Sequence, residues 1–239
     1  MSSPITQMPR ALAIIPARGS DVEANGRPSM LCGRPLLAYT IDTARRARLV
    51  DRVIVNTDSA SVRALAIELG AEAPFERPAE LARADVPLED VLRQTLEWLD
   101  AHESYRPSIV AILEASHPVR PPDLVDRVIE TLIRENLDTV FTAFEERRAF
   151  WEPDDAGTLH RWGGRDRETR ASRRPVYREL AGVVLATRAE TIRAGQRLGR
   201  RVAVVPLPER YAVVDTQGEL GLLLAEKILE AERQEKPTG

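Results

Sequence analysis

The stretch that decides the fold is Ala11-Leu-Ala-Ile-Ile-Pro16, an apolar run that leads directly into a loop beginning Ala17-Arg-Gly-Ser20. The run carries no charge and shows no alternation of polar and apolar side chains. Strands that are buried on both faces have this pattern, and they occur in parallel sheets covered by helices. Residues 11–16 therefore predict a central strand. In such sheets ligands bind beyond the carboxyl ends of the strands, so the following loop is the first candidate site.

The same pattern recurs along the chain and alternates with amphipathic stretches. Apolar runs predict further strands at residues 52–57, 108–113, 138–144, 180–187 and 201–206. Helical spacing and capping residues predict helices at residues 35–46, 58–69, 88–101, 121–135 and 217–232. This alternation predicts an α/β fold, with a mostly parallel sheet and helices on both faces, in a single domain spanning residues 1–239.

One segment does not follow this alternation of strands and helices. Residues 145–177 are rich in Arg, Asp, Glu and Gly, and they contain Trp151 and Trp162. We interpret this segment as a small protruding arm at which a partner binds.

Composition excludes several classes of protein. The chain has 239 residues, of which 43% are hydrophobic, and a formal net charge of −3, which argues against a general nucleic-acid binder. No apolar run approaches the roughly 20 residues that a membrane-spanning helix needs. The single cysteine, Cys32, excludes an internal disulfide and fits a reducing compartment. We expect a soluble, cytoplasmic protein with neither nucleic acid nor membrane as partner.

The loop after the first strand has groups that suit phosphate. Backbone N–H groups at Ala17, Gly19 and Ser20 and the guanidinium groups of Arg18 and Arg27 are donors for phosphate oxygens. The glycine spacing matches neither the dinucleotide fingerprint nor the Walker loop. From these residues alone, a phosphate cradle and a plain connection both remain open.

Several motifs, in order, resemble one family. Ile14-Ile-Pro-Ala-Arg-Gly19 followed by Cys32-Gly-Arg-Pro-Leu-Leu-Ala-Tyr-Thr-Ile41 resembles the opening of the sugar-acid cytidylyltransferases. That family includes the acylneuraminate cytidylyltransferases and their relatives acting on legionaminic, pseudaminic and Kdo-type sugars. The resemblance continues through residues 51–58, 70–82, 113–120, 214–216 and 225–226 and covers nearly the whole chain.

The resemblance implies a Rossmann-like nucleotide-sugar transferase fold and a reaction. A sugar hydroxyl attacks the α-phosphate of CTP, so that pyrophosphate leaves and a CMP-sugar forms, with Mg²⁺ as cofactor. The implied partners are CTP, an acidic nonulosonic or Kdo-type sugar, and a second copy in a homodimer that completes the sugar site through the arm.

The resemblance also implies roles for individual residues. Catalytic roles fall on Arg18, Arg27 and Asp215, and Asp215 is also the implied metal ligand. Nucleotide binding falls on Ala17, Arg18, Gly19, Ser20 and Arg77, and sugar binding on Glu114, Arg120, Arg173 and Arg174. From the residues alone, Asp215 suits a helix cap as well as a ligand, and the arginines of residues 170–178 suit a solvated face as well as a site.

The departures from the family's pattern fall on polar loops. Asp21 and Glu23 stand where the family has a basic pair, and each repels a phosphate charge by roughly 3 kcal/mol at about 5 Å and an effective dielectric of about 20. Val213 replaces the first of two aspartates, Glu114 replaces a glutamine, and residues 83–87 replace a Ser/Thr segment. Two hypotheses follow: a divergent transferase, which we favour, and a catalytically degenerate homologue acting as a binding or scaffold protein.

Overall fold

The structure is a computed structural model that describes residues 11–162 and 169–235. The strands are β1 (Ala11–Pro16), β2 (Val50–Asn56), β3 (Ile109–Ile112), β4 (Thr139–Glu146), β5 (Phe150–Pro153), β6 (Leu159–Trp162), β7 (Val176–Glu179), β8 (Leu185–Arg188) and β9 (Val202–Pro206). The helices are α1 (Gly19–Val22), α2 (Leu36–Arg46), α3 (Ala60–Glu68), α4 (Leu88–Glu103), α5 (Leu124–Arg134), α6 (Ala189–Arg193), α7 (Glu209–Ala212) and α8 (Glu219–Glu235). Two-residue strands form small hairpins within residues 23–28 and 30–35.

The central sheet is mixed. β1 lies between β2 and β3, and both neighbours run parallel to it. β8 pairs antiparallel with β3 on one side and with β4 on the other, and β9 runs parallel to β4. β7 also pairs antiparallel with β4, alongside its later residues. Of the sheet strands in the described ranges, only β7 and β8 run against the others, which confirms the predicted α/β class with a mostly parallel sheet.

Helices cover both faces of the sheet, as predicted. Side chains of β1 alternate between two hydrophobic clusters: Ala13 and Ile15 enter one, Leu12 and Ile14 the other. The first cluster is completed by α2, α3, α5 and α8, and the second by α4 and α6. Every residue from Ala11 to Ile15 is fully buried, which explains why the opening run has no polar face.

Local signals set the ends of the helices. The Ser59 hydroxyl accepts a hydrogen bond from the backbone N–H of Val62 at 3.3 Å and caps α3. Gly70, with φ of +83°, follows the end of the same helix in the left-handed conformation that glycine adopts without strain. Within the described ranges, no helix is long and apolar enough to cross a membrane.

Two segments differ from their predicted bounds. The strand predicted at residues 180–187 is interrupted, because residues 180–184 turn between β7 and β8. Both ends of the predicted arm, residues 145–146 and 176–177, pair within the central sheet. The part that leaves the sheet contains the antiparallel β5–β6 hairpin, and residues 163–168 of the predicted arm lie outside the described ranges.

Candidate active site

A cleft of about 190 Å³ opens at the carboxyl end of β1. It is bounded by the loop after β1, the segment leading into α4, and the loop after β3. Its polar lining consists of Arg18, Asp21, Arg77, Arg83, Glu114, Ser116 and Gln217. This is the crevice where parallel sheets place their ligands, and it brings together three residues predicted for the site: Arg18, Arg77 and Glu114.

The phosphate-binding groups of the first loop are engaged by carboxylates. Arg18 holds Asp21 in a two-pronged ion pair, with Nε to Oδ2 at 2.9 Å and Nη2 to Oδ1 at 3.1 Å. The hydrogen bond to Asp21 raises the pKa of Arg18. The Gly19 backbone N–H donates to Asp58 Oδ1 at 3.0 Å. A polyphosphate would therefore have to replace Asp21 and Asp58 at donors that already bind oxygen anions.

The other acid of this loop is held by α3. Glu23 accepts hydrogen bonds from the hydroxyls of Ser59 and Ser61, the first at 3.1 Å. This packing leaves little room for a side chain at position 19, because a Cβ there would lie 3.0 Å from both the Glu23 Oε2 and the Ser59 Cβ. The charge of Glu23 is thus directed to the start of α3, whereas Asp21 lines the cleft.

Arg77 is fixed in the wall of the cleft. Its side chain is buried, and it donates from Nε to the Asn56 side-chain oxygen at 2.8 Å and from Nη2 to the Asn56 backbone oxygen at 2.6 Å. The Asn56 amide in turn donates to Thr95 Oγ1 at 2.8 Å. Burial lowers the pKa of Arg77. Asn56, absent from the predicted site, therefore positions this guanidinium at the carboxyl end of β2.

Arg120 is a buried residue of the loop after β3. Its guanidinium donates to the backbone oxygens of Val183 at 2.6 Å, Glu114 at 2.7 Å and Gly182 at 3.2 Å, and to Thr40 Oγ1 at 2.9 Å. Burial lowers its pKa to about 9. These bonds tie the loop after β3 to the turn at residues 180–184, so in this structure Arg120 holds in place the loop that carries Glu114.

Glu114 and His117 meet the same turn. Burial raises the pKa of Glu114, while Arg197 and Arg120 act in the opposite direction. Burial lowers the pKa of His117 to about 4, so its imidazole is neutral at pH 7. A Cβ at Gly182 would lie 2.6 Å from the His117 ring and 3.0 Å from Glu114 Oε2. Only glycine allows the turn to approach both side chains this closely.

The closing segment lies against the loop after β3. Thr216 donates to the Ser116 backbone oxygen from its N–H at 2.9 Å and from its hydroxyl at 3.1 Å. Asp215 is exposed, and its Oδ1 accepts a hydrogen bond from the Gln217 N–H at 3.1 Å. The charge of Asp215 contributes to raising the pKa of Glu114. Over the described ranges, no group of three or more His, Cys, Asp or Glu side chains is arranged to hold a metal ion.

A profile of the cytidylyltransferase family matches residues 12–181, well over half of the chain. The chain belongs to the cytidylyltransferase family. This confirms the resemblance and identifies the protein as a member of a family of nucleotidyltransferase enzymes.

Relatives with established names support the assignment. CMP-N,N'-diacetyllegionaminic acid synthase of Legionella pneumophila is 23% identical over 231 residues, covering 94% of this chain and 98% of that protein. A 3-deoxy-manno-octulosonate cytidylyltransferase of Anaeromyxobacter is 36% identical over 128 residues, covering 53% of this chain and 47% of that protein. The match to the Anaeromyxobacter enzyme thus spans about half the length of this chain and about half the length of that enzyme.

Solved structures of cytidylyltransferases share the fold. The 4-diphosphocytidyl-2C-methyl-D-erythritol synthase from Anaerococcus prevotii superposes with a TM-score of 0.70 at 18% identity, covering 93% of this chain and 96% of that one. CMP:2-keto-3-deoxy-manno-octonic acid synthetase, solved in complex with CTP, gives a TM-score of 0.64 at 16% identity, covering 92% and 99%. Both confirm the predicted Rossmann-like nucleotide-sugar transferase architecture.

The remaining predicted residues of this cytidylyltransferase lie away from the cleft lining. Arg27 is exposed on the small hairpin of residues 23–28. Arg173 donates from Nη1 to the Arg147 backbone oxygen at 2.6 Å, and Arg174 is exposed beside it. The roles predicted for these arginines, for Arg120 and for Asp215 stay predictions, as do those of Ala17, Gly19 and Ser20 in the loop after β1. The same holds for the roles of Arg18, Arg77 and Glu114, for which the structure shows only a place in the cleft lining.

Proposed function

We propose that this protein transfers CMP from CTP to an acidic sugar of the nonulosonic or Kdo type and releases pyrophosphate. The observation that carries the proposal is the cleft beyond β1, in which Arg18, Arg77 and Glu114 converge in a member of the cytidylyltransferase family. The likeness to the legionaminic acid synthase over 94% of the chain supports an acidic sugar as acceptor.

The chain's own residues would bind and orient the nucleotide. Arg18 and the Gly19 N–H exchange their carboxylate partners for phosphate oxygens, and Arg77, held by Asn56, stays in place. Positioned donors of this kind stabilise charge on the transferring phosphate without reorganising during the reaction. The sugar hydroxyl oxygen then forms a bond to the α-phosphorus as the bond to the pyrophosphate oxygen breaks, and the hydroxyl proton passes to water.

The structure also bears on the degenerate-homologue alternative. That alternative drew support from Asp21 and Glu23, two acids beside the phosphate site. Asp21 is neutralised by Arg18, and Glu23 is bonded to serines of α3. Their repulsion of a nucleotide is therefore weaker than the sequence alone predicts, and we favour the active transferase.

We propose Mg²⁺ as the cofactor, with Asp215 as its protein ligand. The available donor fits this ion, because magnesium keeps several waters and binds through one or two carboxylates together with substrate phosphates. Asp215 is exposed next to the loop that carries Glu114. When bound, Mg²⁺ would neutralise charge on the phosphates.

We further propose a homodimer formed through the β5–β6 hairpin, which exposes large apolar side chains. Arg173 and Arg174, at the base of the same excursion, would then lie close to the second subunit. We place the activity in the cytoplasm, because a chain whose single cysteine, Cys32, cannot form an internal disulfide fits a reducing compartment.

Pyrophosphate release tests the proposal. Purified protein is incubated with CTP, Mg²⁺ and each of several nonulosonic acids and Kdo. We expect sugar-dependent release, and we expect Arg18→Ala to lower kcat/KM by about 100-fold, since it removes a charged phosphate ligand. Arg106→Ala, which breaks an exposed ion pair with Asp100, should leave kcat/KM unchanged. Absence of both turnover and CTP binding would favour the scaffold alternative.

A further inference from the structure

The charge of the cleft is small for a site that would hold a triphosphate. Among the described residues that line it, Arg18, Arg77 and Arg83 are cationic, and Asp21 and Glu114 are acidic. One positive charge is therefore in excess, whereas a nucleoside triphosphate carries about four negative charges near neutral pH. Which of the arginines is available to a phosphate depends on what each one now binds.

Two of the three arginines are firmly engaged. Arg77 is buried and bonded to Asn56. Arg18 and Asp21 form a two-pronged pair whose side chains are only 30% and 31% exposed, so water screens their attraction incompletely. Releasing Arg18 costs part of that pair's attraction, and releasing Arg77 would leave Asn56 without its partner in a buried place.

Arg83 is engaged in a way that is easily reversed. It binds Asp85, two residues along the chain, with Nε to Oδ1 and Nη2 to Oδ2 both at 3.0 Å. The two side chains are 66% and 72% exposed, and an ion pair so open to water contributes little stability. A phosphate offers the same two-pronged geometry with more charge, so it can replace Asp85 at low cost.

The neighbours of Arg83 in the chain place it at the cleft. Leu81, Ala84 and Val86 line the same cleft, so the backbone on both sides of Arg83 borders the space where a ligand would sit. Arg83 follows the short helix Ala79–Leu81, and Arg18 follows β1. A polyphosphate held by both arginines would therefore join two separate segments of the wall.

We propose that Arg83 is a further phosphate-binding residue, the readily exchanged cation of the cleft, which leaves Asp85 to bind the pyrophosphate part of the nucleotide. The inference rests on the proposed function for the identity of the nucleotide. In this role Arg83 supplies a positive charge to the cleft of a chain whose loop after β1 carries the acids Asp21 and Glu23.

Calorimetric titration with CTP, tripolyphosphate and cytidine tests the inference. We expect Arg83→Gln to weaken binding of CTP and of tripolyphosphate roughly 10- to 100-fold, the loss expected for one charge-assisted contact. Binding of cytidine should be unchanged. Arg83→Lys keeps the charge but loses the two-pronged geometry of the guanidinium. Its affinity for CTP and for tripolyphosphate should lie between those of the wild type and Arg83→Gln. The matched control is Arg106→Gln, which also breaks an exposed Arg–Asp pair and should bind all ligands like the wild type.

The outcomes separate the two proposals. If the wild type binds CTP and Arg83→Gln binds it equally well, Arg83 has no such role and the transferase proposal stands. An equal loss for cytidine would also overturn the inference, because it would indicate a structural effect. If the wild type binds tripolyphosphate but not CTP, and only Arg83→Gln loses that binding, the role of Arg83 stands and cytidylyl transfer is wrong. Binding of neither ligand would overturn both.

Discussion

At the scale of single residues, His117 is held neutral by its surroundings. Burial and, to a smaller extent, Arg120 lower its pKa to about 4, and Asp215 acts in the opposite direction. In the unfolded chain a histidine has a pKa of about 6.5. Below that pH the unfolded state binds more protons than the folded state, so acid destabilises the fold through this residue.

We therefore expect His117 to give the free energy of unfolding a pH dependence. Above about pH 6.5 His117 does not lower the free energy of unfolding, because it is neutral in both states. Between pH 7 and pH 4.5 it lowers the free energy of unfolding by roughly 2 kcal/mol. His117→Gln should remove this slope, as measured by urea unfolding across that range. His102→Gln, at an exposed position of α4, serves as the control and should keep the wild-type slope. An unchanged slope in His117→Gln would contradict the expectation.

The family resemblance predicted part of the cleft lining and missed part of it. Arg18, Arg77 and Glu114 were predicted and do line the cleft. Asn56 was missed because it ends an apolar strand, although a polar residue at the carboxyl end of a buried strand is itself a signal. The burial of Arg120 could not be predicted, since the sequence around it does not record that three backbone oxygens surround its guanidinium.

At the scale of elements, the buried carboxylate of Asp126 joins α5 to the backbone of the turn before β2. Asp126 is 2% exposed, and its Oδ1 accepts the Leu49 N–H at 2.9 Å while Oδ2 accepts the Arg48 N–H at 3.1 Å. These bonds satisfy two backbone donors between α2 and β2. Buried donors that lose their partner are costly, so this contact fixes how α5 packs beside α2.

Asp126→Ala should lower the free energy of unfolding by about 2 kcal/mol, because two backbone N–H groups lose their acceptor. Chemical denaturation measures the change. Glu130→Ala, one turn along α5, removes only an ion pair to Arg48 in which the side chains are 75% and 37% exposed, and should cost less than about 0.5 kcal/mol. Equal losses for the two variants would show that the capping bonds do not stabilise this junction.

The directions of the strands were harder to predict than the strands themselves. β8 is buried as thoroughly as β1, so its side chains show the same continuous apolar pattern although it runs antiparallel to both neighbours. The side-chain pattern of a strand reflects only its burial. The direction of the strand in the sheet depends on the end of the sheet at which the preceding connection brings the chain back. Here the excursion after β4 returns as β7, which already runs antiparallel to β4, and the turn at residues 180–184 leads from β7 into β8.

At the scale of the whole molecule, the β5–β6 hairpin exposes a large amount of apolar surface. Phe150, Trp151, Leu159 and Trp162 are 42%, 60%, 61% and 48% exposed, and the Phe150 and Trp162 rings meet edge to face at 6.5 Å. A two-stranded hairpin is only marginally stable by itself, and an exposed apolar patch is typical of an interface. A second copy of the chain packed on this surface would stabilise the hairpin and cover the patch.

Sedimentation of the wild type should therefore show a dimer at about 10 µM. The double variant Trp151→Ser, Leu159→Ser should sediment as a monomer, because it removes the two most exposed apolar side chains of the hairpin. Far-UV circular dichroism should remain that of the folded chain, since neither side chain belongs to the buried clusters. The control Ile67→Ser, on the exposed face of α3, should stay dimeric. The hairpin would be excluded as the dimer contact if the wild type sedimented as a monomer or if the double variant remained a dimer. In either case the proposal that two subunits form the sugar site would lose its structural basis.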